Sequence, residues 1–207
     1  MKGTSFSFIL LLFSGSCYSQ NNRAAEKQVG GPCEVCDLMF KGMPANMSWE
    51  TTIALANEPG EPLIISGIIY QKDGKTPARD IILYVYHTDK AGYYSPGTTE
   101  NSSTRHGHLR GWMKTNAQGR YQFNSIRPGG YPNGKAPQHI HPTIKEPNTS
   151  LYWIDEYLFD DDPLLTAAEK KRQEKRGGSG IIHLEKNSKG EWIGKRDIIL
   201  GMNIPNY

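Results

Sequence analysis

Cysteine is scarce in this chain of 207 residues, which has three, at positions 17, 33 and 36. So low a count excludes a disulfide-dense secreted scaffold, and the Cys33–Cys36 pair has too few thiolates for a closed zinc site. In an oxidising compartment Cys33 and Cys36 are expected to form a small-loop disulfide. A redox role for the Cys-Glu-Val-Cys spacing would need a βαβ setting, which the surrounding pattern does not provide.

A long apolar run and a large charge imbalance are also missing. The N-terminal apolar run, residues 6–13, is too short to cross a bilayer. The formal net charge of +3 indicates neither a nucleic-acid nor a membrane surface. Lys2 and the small residues at 14–19 predict a signal peptide, residues 1–19, cleaved after Ser19. Lipidation at Cys17 is the alternative, and either outcome predicts an exported protein, periplasmic or extracellular, without a transmembrane helix.

Short strand signals dominate the rest of the chain. Residues 20–60 are polar and irregular and predict an N-terminal extension, whereas residues 61–207 predict one domain of the all-β class, an immunoglobulin-like β-sandwich. The predicted strands are residues 63–70, 81–87, 109–115, 121–126, 139–145, 181–184 and 198–200. The second is apolar on both faces and therefore central, the third and fourth flank a hairpin turn at 116–119, and Pro142 favours an edge or a bulge.

One short helix is predicted in the C-terminal half, at residues 164–176. Asp162 is placed to cap it and Pro163 suits its first position. The three aspartates at 160–162 are explained by capping and the helix dipole better than by a calcium site. The basic residues near the end of the helix favour a solvated face over a nucleic-acid patch.

His139 and His141 form the sharpest local pattern. Residues two apart on a strand point to the same face, so both imidazoles can reach one ion. His-x-His on a strand is, however, often structural. Just upstream, the Pro-Gly-Gly and Tyr-Pro steps of residues 128–132 make a tight turn that can hold Tyr131 facing the histidines. Tyr94 follows Gly92 after the central strand, and its ring can also lie at the sandwich edge.

Together these segments resemble the core of the intradiol ring-cleavage dioxygenases, which include the catechol and protocatechuate enzymes. The resemblance rests on an ordered set of segments, residues 82–94, 110–115, 119–123, 126–131 and 139–141. In that family two tyrosines and two histidines bind one non-haem ferric ion. The resemblance therefore implies one Fe(III) per chain, bound by Tyr94, Tyr131, His139 and His141, and cleavage of a catechol-like substrate with dioxygen. Tyr131 takes the catalytic role, since the family's axial tyrosinate leaves the iron and accepts a substrate proton.

The pattern departs from the family at one position. The family commonly has arginine three residues before the first histidine ligand, and here that residue is Ala136. Lys135 or Arg127 would have to supply the cation, although lysine is a point charge and not a planar fork. Arg110 is a further substrate-binding candidate, or else part of a surface salt bridge.

Two other functions stay open at this point. A non-catalytic binding module would keep the sandwich and hold a metal or ligand without turnover, and Ala136 favours it. A different metal, such as zinc, on His139 and His141 is the other. His106 and His108 form a second His-x-His, which is better explained as exposed residues or residues supporting the site than as ligands, and His87 as a packed histidine.

Overall fold

The computed structural model describes residues 1, 3, 26–97 and 105–207. The predicted signal peptide, with its cleavage point at Ser19 and the alternative lipidation at Cys17, lies almost entirely outside the described residues. Residues 98–104 also lie outside the described residues. Within the described residues, no helix is both long and apolar enough to cross a membrane.

The described part of the chain forms twelve strands and one short α-helix. The strands are β1 (Glu50–Thr52), β2 (Pro62–Tyr70), β3 (Ile82–Tyr86), β4 (Arg110–Lys114), β5 (Arg120–Ile126), β6 (His139–Lys145), β7 (Tyr152–Trp153), β8 (Tyr157–Phe159), β9 (Ile181–Ile182), β10 (Leu184–Lys186), β11 (Trp192–Lys195) and β12 (Ile198–Ile199). The helix α1 spans Ala167–Arg172, and a 3-10 helix spans Cys36–Phe40.

Two sheets pack face to face, which confirms the predicted all-β sandwich. The first has the strand order β1-β5-β2-β11-β10, with β12 also paired to β2. The second has the order β4-β3-β6-β8-β9, with β7 also paired to β6. β2 alternates buried and half-buried residues along its length, which places Leu63 and Ile65 in the core with Phe123 of β5 and Tyr157 of β8. Such alternation is typical of a strand with one face on the core.

The turn at residues 116–119 forms, but it does not make the predicted hairpin. The Asn116 side chain accepts hydrogen bonds from the backbone N–H groups of Gln118 and Arg120, and Gly119 donates to the Asn116 carbonyl. The flanking strands then separate, because β4 pairs with β3 and β5 pairs with β2. The turn is therefore a corner that carries the chain from one sheet to the other.

β6 is a central strand, so the expectation of an edge at Pro142 was wrong. It pairs with β3 on one side and with β8 and then β7 on the other. Pro142 lies between the residues paired with β8 (His139 and Ile140) and those paired with β7 (Thr143 and Ile144). The missing proline N–H thus falls where the neighbouring strand changes, which is how a central strand accommodates it.

The helix is shorter than predicted and is capped by another residue. α1 covers six residues, and the Thr166 hydroxyl caps it by accepting from the Glu169 N–H. Asp162 instead accepts from the N–H groups of Leu164 and Gln138. That second contact ties the segment before α1 to the residue preceding His139.

The described part of the N-terminal extension packs against the sandwich. β1 adds to the edge of the first sheet, parallel to β5. The Trp112 indole N–H donates to the carbonyl of Met39, a fully buried residue. Cys33 and Cys36 are joined by a disulfide. This disulfide loop lies close to β6, since the Cys36 sulfur is 3.9 Å from the Thr143 hydroxyl.

Candidate metal centre

The two histidines of β6 point to the same side of their sheet, as their spacing predicts. Their ring centroids are 4.6 Å apart and the ring planes are perpendicular. The Nδ1 atom of His139 lies 2.7 Å from the Pro137 carbonyl oxygen, and Nδ1 of His141 lies 3.2 Å from a carboxylate oxygen of Glu156. Because both partners are acceptors, each Nδ1 is placed to donate a hydrogen bond, and each Nε2 faces a tyrosine hydroxyl.

The loop after β3 positions Tyr94, and Asp89 organises that loop. One carboxylate oxygen of Asp89 accepts from the N–H groups of Ala91 and Tyr93, and the other from the Ser95 hydroxyl. Tyr93 is 57% exposed. The Tyr94 hydroxyl lies 2.9 Å from Nε2 of His141, so Tyr94 is the member of the pair that enters the site.

A second turn, packed against the first, positions Tyr131. The Gly129 N–H donates to the Asp89 carbonyl, and the Thr88 hydroxyl donates to the Gly129 carbonyl. The packing needs glycine on both sides. A Cβ on Gly92 would lie 2.0 Å from the Gly130 carbonyl oxygen, and one on Gly129 would lie 2.4 Å from the Lys90 carbonyl oxygen. This close approach brings the Tyr131 hydroxyl to 3.0 Å from Nε2 of His139.

The four donors therefore form one continuous cluster. The Tyr94 and Tyr131 hydroxyl oxygens are 2.8 Å apart, and each is within 3.0 Å of one histidine Nε2. Two donor atoms that each lie about 2.1 Å from one ion, at right angles to each other, would be separated by about this distance. Phenol oxygens and imidazole nitrogens are both groups that bind a metal cation, so the chemistry of the donor set fits a metal.

The burial of the site sets the protonation of its ligands. Burial raises the pKa of Tyr94, with a further contribution from Tyr131, and burial also raises the pKa of Tyr131. Burial lowers the pKa of His139, which keeps this ring neutral near pH 7. A ferric ion bound by two phenolates would therefore displace two protons, and its apparent affinity would increase with pH.

A cavity of 360 Å³ opens onto this centre. Tyr131, His139 and His141 lie in its wall, whereas Tyr94 does not. Its remaining lining comes from the segment before β6, from β8 and from α1: Lys135, Ala136, Pro137, Glu156, Leu158, Glu169, Arg172 and Gln173. A second cavity of 310 Å³, beside the Cys33–Cys36 loop, shares His141, Glu156, Arg172 and Gln173 with the first.

Of the three predicted substrate-binding cations, the structure brings one to the cavity. Lys135 lies in its wall beside Ala136. Arg127 is held elsewhere: it forms a two-point ion pair with Asp161, donates to the Gln138 side chain and stacks on the rings of Phe159 and Trp192. Arg110 is buried, bonds to the Tyr84 hydroxyl and lies over Trp112. Arg127 and Arg110 thus support the framework around the site.

Sequence reasoning missed two residues that border the centre. Glu156 contacts His141 and forms, with His139 and His141, a cluster whose ligand atoms all lie within 4.8 Å of one another. Arg172, from the last turn of α1, lines both cavities and is ion-paired with Glu169. Neither has a local signal, because each reaches the site through the pairing and packing of distant segments.

The second His-x-His pair does not form a site of its own. His106 is buried, and its Nδ1 atom contacts the Tyr84 hydroxyl. Its ring stacks on Tyr86, and Tyr86 also stacks on His141, so His106 supports the centre from behind. His108 binds the Glu58 carboxylate. His87 is a packed histidine, bonded to the Ser125 hydroxyl, and burial lowers its pKa to about 4.

Comparison with known proteins places this architecture in a family. A family model described as "Dioxygenase" matches residues 40–175, about two thirds of the chain and the whole of the candidate centre. The chain belongs to the intradiol ring-cleavage dioxygenase family. It is 29% identical over 113 residues to a protocatechuate 3,4-dioxygenase beta chain of Burkholderia cepacia and 30% identical over 131 residues to a catechol 1,2-dioxygenase of Acinetobacter lwoffii. Those alignments cover 51% and 53% of this chain, and 48% and 46% of the relatives, so the chain spans about half their length.

Solved structures share the fold at low sequence identity. The dioxygenase domain of a dioxygenase–carbohydrate-binding protein fusion from Streptomyces sp. SirexAA-E superposes with a TM-score of 0.56 at 20% identity, covering 76% of this chain and 91% of that domain. A hydroxyquinol 1,2-dioxygenase from Pseudomonas putida gives a TM-score of 0.55 at 18% identity, covering 87% of this chain and 68% of that one. The intradiol dioxygenase family's sandwich is thus present here.

Replacing Asp89 with alanine tests whether its loop positions the centre. The variant loses three hydrogen bonds of about 1 kcal/mol each, and we expect at least a tenfold loss of iron affinity because Tyr94 is no longer held. Chelator competition measures the affinity. Asp73→Ala is the matched control, because Asp73 makes the same three kinds of bond in the turn after β2. The control should lose stability and keep iron, and equal iron loss in both variants would contradict the assignment.

Proposed function

We propose that this chain is a ferric-iron-dependent dioxygenase that cleaves a catechol-type ring between its two oxygenated carbons, with both atoms of dioxygen entering the product. The observation that carries the proposal is the cluster of two phenol oxygens and two imidazole nitrogens, in which neighbouring donor atoms lie no more than 3.0 Å apart. Family membership supports the reaction class.

The donor types favour iron(III) over softer or larger ions. Phenolate oxygens are hard anionic donors, and imidazole is a general iron ligand. Iron(III) held there would act as a Lewis acid that activates a bound catechol dianion towards dioxygen. Zinc on His139 and His141 alone would leave both tyrosine hydroxyls without a role, so metal analysis of protein purified without added iron decides between the two metals.

The position of each tyrosine supports different roles for the two. Tyr131 lies in the cavity wall, so its phenolate is the donor that an entering catechol would displace. Once displaced, its hydroxyl oxygen is available to accept a substrate proton as a general base. Tyr94 lies outside the wall, against Tyr86 and His141, where it would remain bound throughout.

The cavity wall is suited to an aromatic ring. Ala136, Pro137 and Leu158 supply apolar lining, and Lys135 and Arg172 supply cations. Ala136 occupies the position where the family commonly has arginine. Lys135 and Arg172 are therefore the cations of this chain that could compensate negative charge developing on the ring.

Oxygen uptake by iron-loaded protein with a catechol panel tests the proposal. We expect uptake with at least one catechol and a dicarboxylate product that incorporates both atoms of ¹⁸O₂, detected by mass spectrometry. His141→Ala should abolish uptake, and His183→Ala, a change at an exposed histidine that does not line the cavity, should not. No uptake across a broad panel would overturn the proposal.

A non-catalytic binding module is the second candidate, and Ala136 is the residue that favours it. Such a protein would bind iron and shift its visible band on adding catechols, yet consume no oxygen. The uptake experiment and a catechol titration of the visible spectrum therefore separate the two functions on one sample.

We also propose that the protein acts outside the cytoplasm. The apolar run at residues 6–13 and the Cys33–Cys36 disulfide support this location. Mass spectrometry of the mature N-terminus identifies cleavage after Ser19, lipidation at Cys17, or retention of residues 1–19, and the last result would count against export.

A further inference from the structure

Glu156 is held rigidly at the edge of the centre. It lies between β7 and β8, directly before the residues of β8 that pair with β6. Its backbone carbonyl is so close to Gly180 that a Cβ on Gly180 would lie 2.0 Å from the oxygen, and the start of β8 is held by the Leu158 N–H, which donates to the Gly180 carbonyl. The backbone therefore sets where the Glu156 side chain can reach.

The carboxylate of Glu156 contacts the candidate ligand His141 at Nδ1, the ring nitrogen that does not face Tyr94. One of its oxygens lies 3.2 Å from Nδ1 of His141, while Nε2 of the same ring faces the Tyr94 hydroxyl at 2.9 Å. The two nitrogens of an imidazole point in different directions. A carboxylate on Nδ1 therefore orients the His141 ring and leaves Nε2 facing the Tyr94 hydroxyl.

The two histidines are supported in different ways. Nδ1 of His139 donates to a neutral carbonyl, that of Pro137, at 2.7 Å. Nδ1 of His141 faces a carboxylate, and its ring is also stacked on Tyr86. A carboxylate behind a ligating histidine fixes the tautomer and makes Nε2 a stronger donor.

We propose that Glu156 is a positioning residue for the centre, which holds His141 with Nε2 directed at the ion and supplies the third negative charge beside two phenolates. This inference rests on the proposed iron centre. Three anionic groups match the charge of iron(III) and exceed that of iron(II), so Glu156 would favour the ferric state. Among the carboxylates that line the two cavities, the one paired with a histidine of the centre is Glu156 and not Glu34, Asp155, Glu169 or Glu174.

Glu156→Gln tests the inference, since glutamine keeps the shape and removes the charge. We expect iron(III) affinity to fall about 10- to 100-fold in chelator competition. We also expect the iron(III)/iron(II) midpoint potential to shift to more positive values. The tyrosinate-to-iron absorption band should move to longer wavelength, because a less compensated ion accepts the electron more readily. The melting temperature of the metal-free variant should stay close to that of the parent, which separates positioning from a structural role.

Glu174→Gln is the matched control, because Glu174 lines the 310 Å³ cavity that His141 and Glu156 share. It should leave affinity, potential and band unchanged. If the Glu156→Gln protein is coloured and binds iron with the affinity, potential and absorption band of the parent, the inference is overturned and the proposed centre is retained. Loss of iron in Glu156→Ala as complete as in His141→Ala would also overturn it, by making Glu156 a ligand. A parent protein that binds no iron would instead refute the proposed function itself.

Discussion

The Tyr94→Phe variant is expected to lose at least about 100-fold in iron(III) affinity, more than the loss typical of a residue that only supports a ligand. The Tyr94 hydroxyl contacts both the other phenol and a histidine of the centre. Removing it would take away one of the two phenolate oxygens that would hold the ion. Any iron that remains should show a weakened visible band, since one tyrosinate is left. Chelator competition and the visible spectrum measure both effects.

Tyr93→Phe is the control for this substitution. Tyr93 is the neighbouring residue, carries the same side chain and is largely exposed, so its replacement should alter neither affinity nor colour. A Tyr94→Phe variant with the affinity and band of the parent would remove Tyr94 from the centre. A loss confined to Tyr93→Phe would move the ligand by one residue and contradict the loop conformation set by Asp89.

The second large effect is expected from Gly92→Ala. Gly92 has φ +86°, which costs an alanine about 1–2 kcal/mol. Its new Cβ would lie 2.0 Å from the Gly130 carbonyl oxygen, so the two turns must separate. We expect the free energy of unfolding to fall by about 3 kcal/mol or more. Separating the turns also separates Tyr94 from Tyr131, so the variant should lose most of its iron affinity even where it remains folded.

Gly190→Ala isolates the effect of backbone conformation. Gly190 has φ +80°, close to that of Gly92, but nothing lies within 4 Å of where its Cβ would be. Its replacement should cost only about 1–2 kcal/mol and leave iron binding intact. Denaturant unfolding and chelator competition on both variants provide the comparison. Similar losses in the two would show that the packing of the Tyr94 turn against the Tyr131 turn is unimportant.

The strand pattern predicted that the two histidines share one face of their strand, because side-chain direction along a strand is a local property. His139 and His141 are two apart on β6, and their shared orientation follows from the period of any strand. Tyr131 follows a turn whose residues restrict the backbone locally. The prediction of Tyr94 depended on the resemblance to the dioxygenase family. The neighbouring sequence distinguishes Tyr94 from Tyr93 less clearly than the hydrogen bonds of Asp89 do.

Features that depend on pairing between distant segments could not be predicted in the same way. The turn at Asn116 has the local hydrogen bonds of a hairpin, yet β4 pairs with β3 in one sheet and β5 pairs with β2 in the other. Glu156 reaches His141 only because β8 pairs with β6. The helix is shorter than predicted because Thr166 caps it, whereas Asp162 accepts a hydrogen bond from Gln138, 24 residues away.

The most direct test of the four-donor centre is one measurement, the visible spectrum of the purified protein together with its iron content. Two tyrosinates on iron(III) predict a red to purple protein with about one iron per chain, and a band that disappears on reduction or chelation. A colourless protein that contains one iron(III) per chain would contradict ligation by Tyr94 and Tyr131, and with it the proposed function.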